Sequence, residues 1–143
     1  MNKDLSLITL NVNGLNAPIK RHRIAEWIRK HDLHICCLQE THLRTKDLHR
    51  LKVKGWKQIF QANRQGKKAG VAILLSDKID FKTKTIRRDT EGHFIILNGR
   101  IHQKDINIIN IYAPNIMAPK YIRKILEDLK KDIDSNILTV FKC

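Results

Sequence analysis

Apolar and polar positions in the first part of the chain predict a strand followed by a helix. Residues 5–12 form a β-rich run, LSLITLNV, which ends at a turn dipeptide. Within residues 19–31, the apolar side chains of Ile24, Trp27 and Ile28 recur at the i, i+3, i+4 spacing of a helix with one buried face. The remaining positions of this predicted helix are mostly basic.

Short β-type segments dominate the middle of the chain. Residues 34–39, HICCLQ, are almost continuously apolar, which is typical of a central strand buried on both faces. Short polar connections separate the segments that follow, and this pattern indicates antiparallel meander pairing. These five further strands are predicted at residues 56–61, 70–75, 79–87, 93–98 and 106–112.

The last part of the chain predicts one more helix and one more strand. A helix is expected over residues 119–134, because apolar residues recur at helical spacing and Pro119 suits a first helical turn. A strand is expected at residues 137–141. No repeat, low-complexity segment or linker is visible, so residues 1–143 are predicted to belong to a single domain. The predicted fold class is mixed α and β (α/β or α+β), with mainly antiparallel sheets and helices on an outer face.

Charge narrows the choice of partner more than the rest of the composition does. The 143 residues are 42% hydrophobic and 29% charged, which is a globular balance. Their 28 Lys and Arg against 14 Asp and Glu give a formal net charge of +14. This excess predicts an anionic partner, either nucleic acid or an anionic membrane surface. The membrane interpretation is the weaker one, because no helix pairs an aromatic apolar face with a purely basic face.

Cysteine usage and hydropathy favour an intracellular protein. The three cysteines, Cys36, Cys37 and Cys143, form no CxxC pair, so buried reduced thiols are expected rather than disulfides. No stretch approaches the length of about 18 apolar residues that a membrane span needs. No signal peptide or transit peptide is apparent at the N-terminus.

Polar residues that could carry chemistry follow three of the predicted strands. Asn11 lies at the end of the first strand, and Glu40 follows the apolar run at 34–39. A carboxylate oxygen in such a position could bind Mg²⁺, which uses one or two carboxylates together with waters and substrate phosphate. Tyr112 and Asn115 follow a later strand and could bind a phosphate oxygen. For each segment taken alone, strand termination and turn capping remain an open alternative.

The three segments together resemble the endonuclease/exonuclease/phosphatase superfamily. Within it, the chain is most similar to the N-terminal endonuclease domain of long-interspersed-element retrotransposon polyproteins, from about residue 5 to about residue 139. Relatives in the superfamily include apurinic-site endonucleases and exodeoxyribonuclease III. The blocks that carry the resemblance are LNVNGLNAPIKRHRIAEWI, CCLQETHL, LKVKGWKQIFQAN, KKAGVAILLSDK and INIINIYAPN.

The resemblance implies a fold, an activity and a partner. The fold is a four-layered sandwich of two mainly antiparallel sheets flanked by helices. The activity is cleavage of DNA phosphodiester bonds with a divalent cation, Mg²⁺ with Mn²⁺ as an alternative, and the retrotransposon branch nicks chromosomal DNA. The implied location is the nucleus, with the cytoplasm left open. No protein partner is implied.

The resemblance also assigns roles to individual residues. Glu40 matches the metal-binding glutamate, and Asn11 matches the asparagine beside the metal. Tyr112 and Asn115 match the residues that place the scissile phosphate and are expected to act in catalysis with Glu40. Two further substrate contacts are expected at Asn13 and His42, the latter lying where the retrotransposon branch also reads Glu-Thr-His.

One departure from the family pattern concerns the end of the sequence. The family continues into a Gly-Asp-x-Asn block and later a Ser-Asp-His block, whereas this sequence reads Phe-Lys-Cys after residues 137–140. The sequence therefore predicts a truncated domain whose nuclease activity is impaired or absent, since no general base remains to activate water. The alternative function is a non-catalytic, basic nucleic-acid-binding fragment.

Overall fold

The computed structural model describes residues 5–64, 69–112 and 136–142, together with Lys120, Arg123, Lys124 and Glu127. Within these residues, Lys120, Arg123, Lys124 and Glu127 are helical, and the rest of the described chain forms an α-helix, a 3-10 helix and eight strands. In chain order these are β1 (Leu7–Asn11), α1 (Pro18–Lys30), β2 (Ile35–Gln39), η1 (the 3-10 helix, Thr45–Arg50), β3 (Gln58–Ala62), β4 (Val71–Leu75), β5 (Phe81–Arg88), β6 (Phe94–Ile101), β7 (Lys104–Tyr112) and β8 (Asn136–Lys142).

The first sheet contains the N-terminal strands in the order β1-β2-β4-β3. β1 and β2 are parallel, with Asn11 opposite Gln39, and α1 provides the crossover between them. β4 pairs antiparallel with both β2 and β3. Because β1 and β2 are parallel, the residues that follow them meet at one end of the sheet, which places Glu40 close to Asn11.

The second sheet has the order β5-β6-β7-β8. β5, β6 and β7 form an antiparallel meander, and β8 pairs parallel with β7. β5 lies at an edge of this sheet and is rich in basic side chains. Five of the six residues between Phe81 and Arg88 are exposed. Such charges on an edge strand disfavour pairing with another chain.

The two sheets pack face to face, and strand alternation explains the continuous apolar run of β2. Ile35 and Cys37 point into the core between the sheets, where they belong to the same cluster as Leu97 and Ile108 of the second sheet. Cys36 and Leu38 point to the opposite face, in the cluster that α1 covers with Ile28. Both faces of β2 are therefore buried, and all five of its residues are inaccessible to solvent.

The predicted fold class is confirmed in its main features, with corrections at element boundaries. β5 begins at Phe81 rather than at residue 79, because Ile79 is buried in the preceding turn, and β7 begins at Lys104 rather than at residue 106. The 3-10 helix η1 was not predicted. Most of the helix expected at residues 119–134 lies outside the described residues, but the four that are described, Lys120, Arg123, Lys124 and Glu127, are helical as predicted.

Two other expectations have outcomes in the structure. Cys36 and Cys37 are buried free thiols, as expected, and burial raises the pKa of the Cys36 thiol to about 12. Cys143 lies outside the described residues. In the part of the chain that the structure describes, no helix has the length and apolar character needed to span a membrane.

Candidate active site

The candidate site is built where β1 and β2 end side by side. Backbone pairing continues past the strands, since the Val12 N–H donates to the Gln39 carbonyl at 3.0 Å and the Gly14 N–H donates to the Glu40 carbonyl at 2.7 Å. The segment after β2 is held from its other side, because the Thr41 N–H donates to the Gly70 carbonyl at 3.1 Å. These bonds fix the backbone that carries Glu40.

The Glu40 carboxylate has a different environment at each oxygen. Its Oε2 accepts a hydrogen bond from the Asn11 side-chain amide, and its Oε1 lies 3.9 Å from His42 Nε2. The Glu40 side chain is 25% exposed, so the carboxylate is partly open to solvent. Asn11 therefore orients the carboxylate while leaving it accessible to a ligand.

Tyr112 reaches the same place from the second sheet. It is the last residue of β7, and its hydroxyl interacts with the Glu40 carboxylate. The pKa of Tyr112 is raised, first by burial and then by the negative charge of Glu40 and the hydrogen bond to it. The hydroxyl is a hydrogen-bond donor at neutral pH, as in any tyrosine, and the raised pKa keeps it so to higher pH. The structure brings Asn11, His42 and Tyr112 together around Glu40.

Asn13 contributes to the site through its backbone. Its N–H donates to Asn11 Oδ1 at 3.1 Å, and its carbonyl accepts a bond from Lys20 Nζ at 2.9 Å. The side chain of Asn13 is exposed beside the site. Because the amide oxygen of Asn11 is engaged by Asn13, the structure shows Asn11 orienting Glu40 through its amide nitrogen. A direct role of Asn11 as a metal ligand stays a prediction.

Three residues of the site have unusual backbone conformations. Asn13, Glu40 and His42 have φ values of 47°, 55° and 53°, in the left-handed region that few residues other than glycine and asparagine occupy. For Glu40 and His42 this conformation costs roughly 1–2 kcal/mol each. Strain of this kind tends to persist where the surrounding structure holds functional side chains in place.

Long polar side chains brace the loop that follows β1. Arg21 of α1 donates to the carbonyls of Leu15 and Asn16 at 2.9 and 2.7 Å. The Asn16 amide in turn donates to the His42 carbonyl at 2.7 Å. The helix, the loop after β1 and the loop after β2 are therefore tied into one unit beside Glu40.

Sequence reasoning missed two buried polar residues beneath the site, Gln39 and Asn110. Gln39 Nε2 donates to Asn110 Oδ1 and to the Ile111 carbonyl, both at 3.1 Å. Asn110 Nδ2 donates to the carbonyls of Leu38 and Ala72 at 3.0 and 2.9 Å. The available signal was a polar side chain within an otherwise apolar strand, since Asn110 stands between isoleucines.

The two residues predicted to hold a metal ion, Glu40 and Asn11, carry hard oxygen atoms. Among the described residues there is no group of three or more His, Cys, Asp and Glu side chains that could hold a metal. Glu40 offers a single accessible carboxylate, which fits a Mg²⁺ ion that takes its remaining ligands from water and substrate phosphate. It does not fit a zinc site with a full set of protein ligands. Asn115 lies outside the described residues.

Comparison with known proteins identifies the class to which this fold and site belong. Residues 8–135 match the endonuclease/exonuclease/phosphatase family, and the chain belongs to that family. Its sequence is 29% identical over 111 residues to the transposon TX1 uncharacterized 149 kDa protein of Xenopus laevis. That match covers 77% of this chain and 8% of the TX1 protein.

Solved structures share the fold at lower sequence identity. The TDP2 of D. rerio in complex with a single-strand DNA product superposes with a TM-score of 0.70 at 17% identity, over 96% of this chain and 58% of that one. The endonuclease domain of TRAS1, a telomere-specific non-LTR retrotransposon, superposes with a TM-score of 0.62 at 14% identity over the same shares. The chain thus spans a little over half the length of these structures.

Proposed function

We propose that this chain forms part of a divalent-cation-dependent DNA endonuclease of the retrotransposon and apurinic-endonuclease type. The observation that carries the proposal is the convergence of Asn11, Glu40 and Tyr112 at adjoining strand ends in a chain of this family. Strand ends on a rigid sheet are common positions for catalytic groups. The transposon relative and the TRAS1 endonuclease domain support the retrotransposon assignment.

Glu40 is the residue proposed to hold the cation. Its carboxylate is partly exposed and carries the oxygen ligands that Mg²⁺ or Mn²⁺ accepts. A bound divalent ion supplies Lewis-acid stabilisation of the charge that develops on a phosphoryl group. Asn11 keeps the carboxylate in one orientation through its hydrogen bond to Oε2.

Tyr112 is proposed to bind the scissile phosphate. Its hydroxyl is protonated at neutral pH, as any tyrosine hydroxyl is, so it can donate a hydrogen bond to a phosphate oxygen. His42 and Asn13 are proposed substrate contacts, since both lie beside Glu40 and Asn11. Asn115 is also proposed to belong to this group, because its segment resembles the family's.

DNA is the proposed substrate, and the nucleus is the proposed location. A net charge of +14 provides sequence-independent attraction to phosphates. The DNA product bound to the related TDP2 supports a nucleic-acid substrate for this fold. Binding without cleavage is the second candidate function. It is favoured by basic residues such as Lys20, Arg23 and Lys82, for which no ion pair occurs within the described part of the chain.

A plasmid-nicking assay tests the proposal. Because the sequence predicts impaired activity, we expect slow, Mg²⁺-dependent conversion of supercoiled to relaxed DNA, and we expect Glu40→Gln to abolish it by removing the charge that holds the cation. Glu26→Gln is the matched control, because Glu26 is an exposed glutamate of α1 whose described partner is Arg29.

The outcomes separate the two candidate functions. Nicking that is equally strong in Glu40→Gln would contradict the proposed site. DNA binding without any nicking in the unaltered chain would support the second function. Failure of both nicking and binding at about 50 mM salt would contradict both, because phosphate contacts are strongest at low salt.

A further inference from the structure

A buried polar bridge joins the two sheets directly behind the candidate site. Gln39 ends β2 in the first sheet, and Asn110 lies near the end of β7 in the second sheet. Neither side chain is exposed to solvent, and together they make four hydrogen bonds of 2.9–3.1 Å. A buried amide that loses these hydrogen bonds still carries the free-energy cost of its removal from water. The paired arrangement of Gln39 and Asn110 is therefore favoured over arrangements in which either amide is unpaired.

The place of the bridge along each strand links it to the site. Gln39 immediately precedes Glu40, and Asn110 is two residues before Tyr112. Asn110 spans two strands of the first sheet, since it donates to carbonyls of both β2 and β4. Glu40 and Tyr112, which come from different sheets, therefore emerge from backbone segments that are bonded to each other.

The surrounding core cannot fix this relationship by itself. Between the sheets the neighbouring side chains are apolar, including Cys37, Ile73, Leu97 and Ile108. Apolar burial is non-directional, so it holds two sheets together without strongly fixing their sliding position. Hydrogen bonds are directional and weaken steeply when their angle or length changes. The Gln39–Asn110 bridge supplies such a directional constraint directly behind the site. Two other described hydrogen bonds join the sheets, but they lie between β3 and β5, where Gln58 donates to the Phe81 carbonyl and Arg88 donates to the Gln61 carbonyl.

We propose that Gln39 and Asn110 are positioning residues that set Tyr112 against Glu40 across the junction of the two sheets. They act through the backbone of β2 and β7 and do not touch the substrate. The catalytic consequence rests on the proposed function, because a phosphoryl group would be held between Glu40 and Tyr112. A misplacement of about 1 Å in such a site can reduce the rate roughly 100-fold.

The test replaces both members of the bridge in the full chain. Gln39→Leu/Asn110→Leu removes the polar groups together, which limits the penalty of leaving one of them unpaired. Asn98→Leu is the matched control, because Asn98 donates to Asn107 at 2.6 Å within the second sheet and, among the described residues, makes no bond across to the first. Gln39→Met is the second variant, which keeps the measurement possible if the double variant does not fold.

The first readout needs neither metal nor activity. The ¹³Cζ chemical shift of Tyr112 is measured at a fixed pH of about 7, where the neutral phenol reports its hydrogen bonding. The Tyr112→Phe variant shows which of the two tyrosine signals belongs to Tyr112 and which to Tyr121. The Glu40→Gln variant gives the chemical shift of Tyr112 after its contact with the Glu40 carboxylate is lost. We expect the double variant to show at least half of that displacement while still melting cooperatively, and Asn98→Leu to show none.

The second readout is the nicking reaction. We expect a fall in kcat of about 10- to 100-fold with little change in KM, because the displaced groups act on the bound phosphoryl group. A Tyr112 signal unchanged in a folded bridge variant would overturn the proposal, as would an equal displacement in Asn98→Leu. If no nicking occurs in the unaltered chain, the proposed function fails, and the chemical shift still decides the positioning role.

Discussion

Gly70 shows how closely the loops behind the candidate site are packed at the level of single residues. Its N–H donates to the Gly92 carbonyl at 3.0 Å, and its carbonyl accepts the Thr41 N–H that anchors the segment after β2. Its φ of +116° lies in a region that favours glycine, and a Cβ built on it would lie 2.3 Å from Thr41 Oγ1. The position therefore excludes a side chain for two separate reasons.

Gly70→Ala is expected to destabilise the fold by about 2–4 kcal/mol, from backbone strain of roughly 1–2 and overpacking of a similar size. Gly55→Ala is the matched control, since Gly55 has a φ of +88° with nothing within 4 Å of its Cβ position. It should show the strain alone. Urea unfolding of both variants measures the difference.

The origin of that difference can be checked by a second substitution. Thr41→Ala removes the hydroxyl that the new methyl group would meet, so it should recover part of the loss in a Gly70→Ala background. If Gly70→Ala and Gly55→Ala lose the same stability, the contact with Thr41 does not limit this position.

At this scale, the sequence predicted the residues that follow strands better than those buried within them. Asn11, Glu40 and Tyr112 could be predicted, because a polar side chain at the end of an apolar strand stands out in the pattern. Gln39 and Asn110 could not be paired, because they are 71 positions apart and their bond depends on how two sheets face each other.

Among the elements, those with strong apolar periodicity were predicted, whereas the 3-10 helix η1, which is held by local ion pairs, was not. The continuous apolar sequence of β2 predicted a strand buried on both faces, and in the structure both of its faces are covered. η1 has no apolar period. Its buried Asp47 pairs with Arg44 at 2.8 Å and with Arg50 at 3.1 Å, and such local ion pairs leave little signal in the hydropathy pattern.

The same periodicity predicts how α1 contributes to stability. Ile28 is fully buried against the first sheet, whereas Ile19 in the same helix is 63% exposed. Ile28→Ala should cost about 2–4 kcal/mol, from lost burial and the cavity that remains. Ile19→Ala should lie within about 0.5 kcal/mol of the unaltered chain. The two free energies of unfolding, measured in urea, give the comparison.

This pair of variants isolates burial from helix propensity. Both replace isoleucine by alanine within α1, so the gain in intrinsic helix propensity is the same in each. A loss for Ile19→Ala as large as that for Ile28→Ala would mean that the outer surface of α1 is also packed against other parts of the molecule.

For the whole molecule, the direction of the elements decides which basic residues lie near the candidate site. α1 begins at the loop after β1, where Lys20 bonds to Asn13, and it runs back toward the start of β2. Lys20 and Arg23 therefore lie toward the site end. Lys30, at the end of α1, and Lys82, near the start of β5, lie toward the opposite end.

Two double variants with the same net charge separate general attraction from binding at the site. Lys20→Gln/Arg23→Gln and Lys30→Gln/Lys82→Gln each remove two positive charges. Each phosphate contact contributes about 0.9 to the slope of log affinity against log salt, so losing two should lower the slope by about 1.8. We expect that fall for the site-end pair and a smaller one for the opposite pair, measured by fluorescence anisotropy with duplex DNA. Equal slopes would mean that DNA is held by the overall charge of the molecule, because only a localised contact surface makes the position of a removed charge matter.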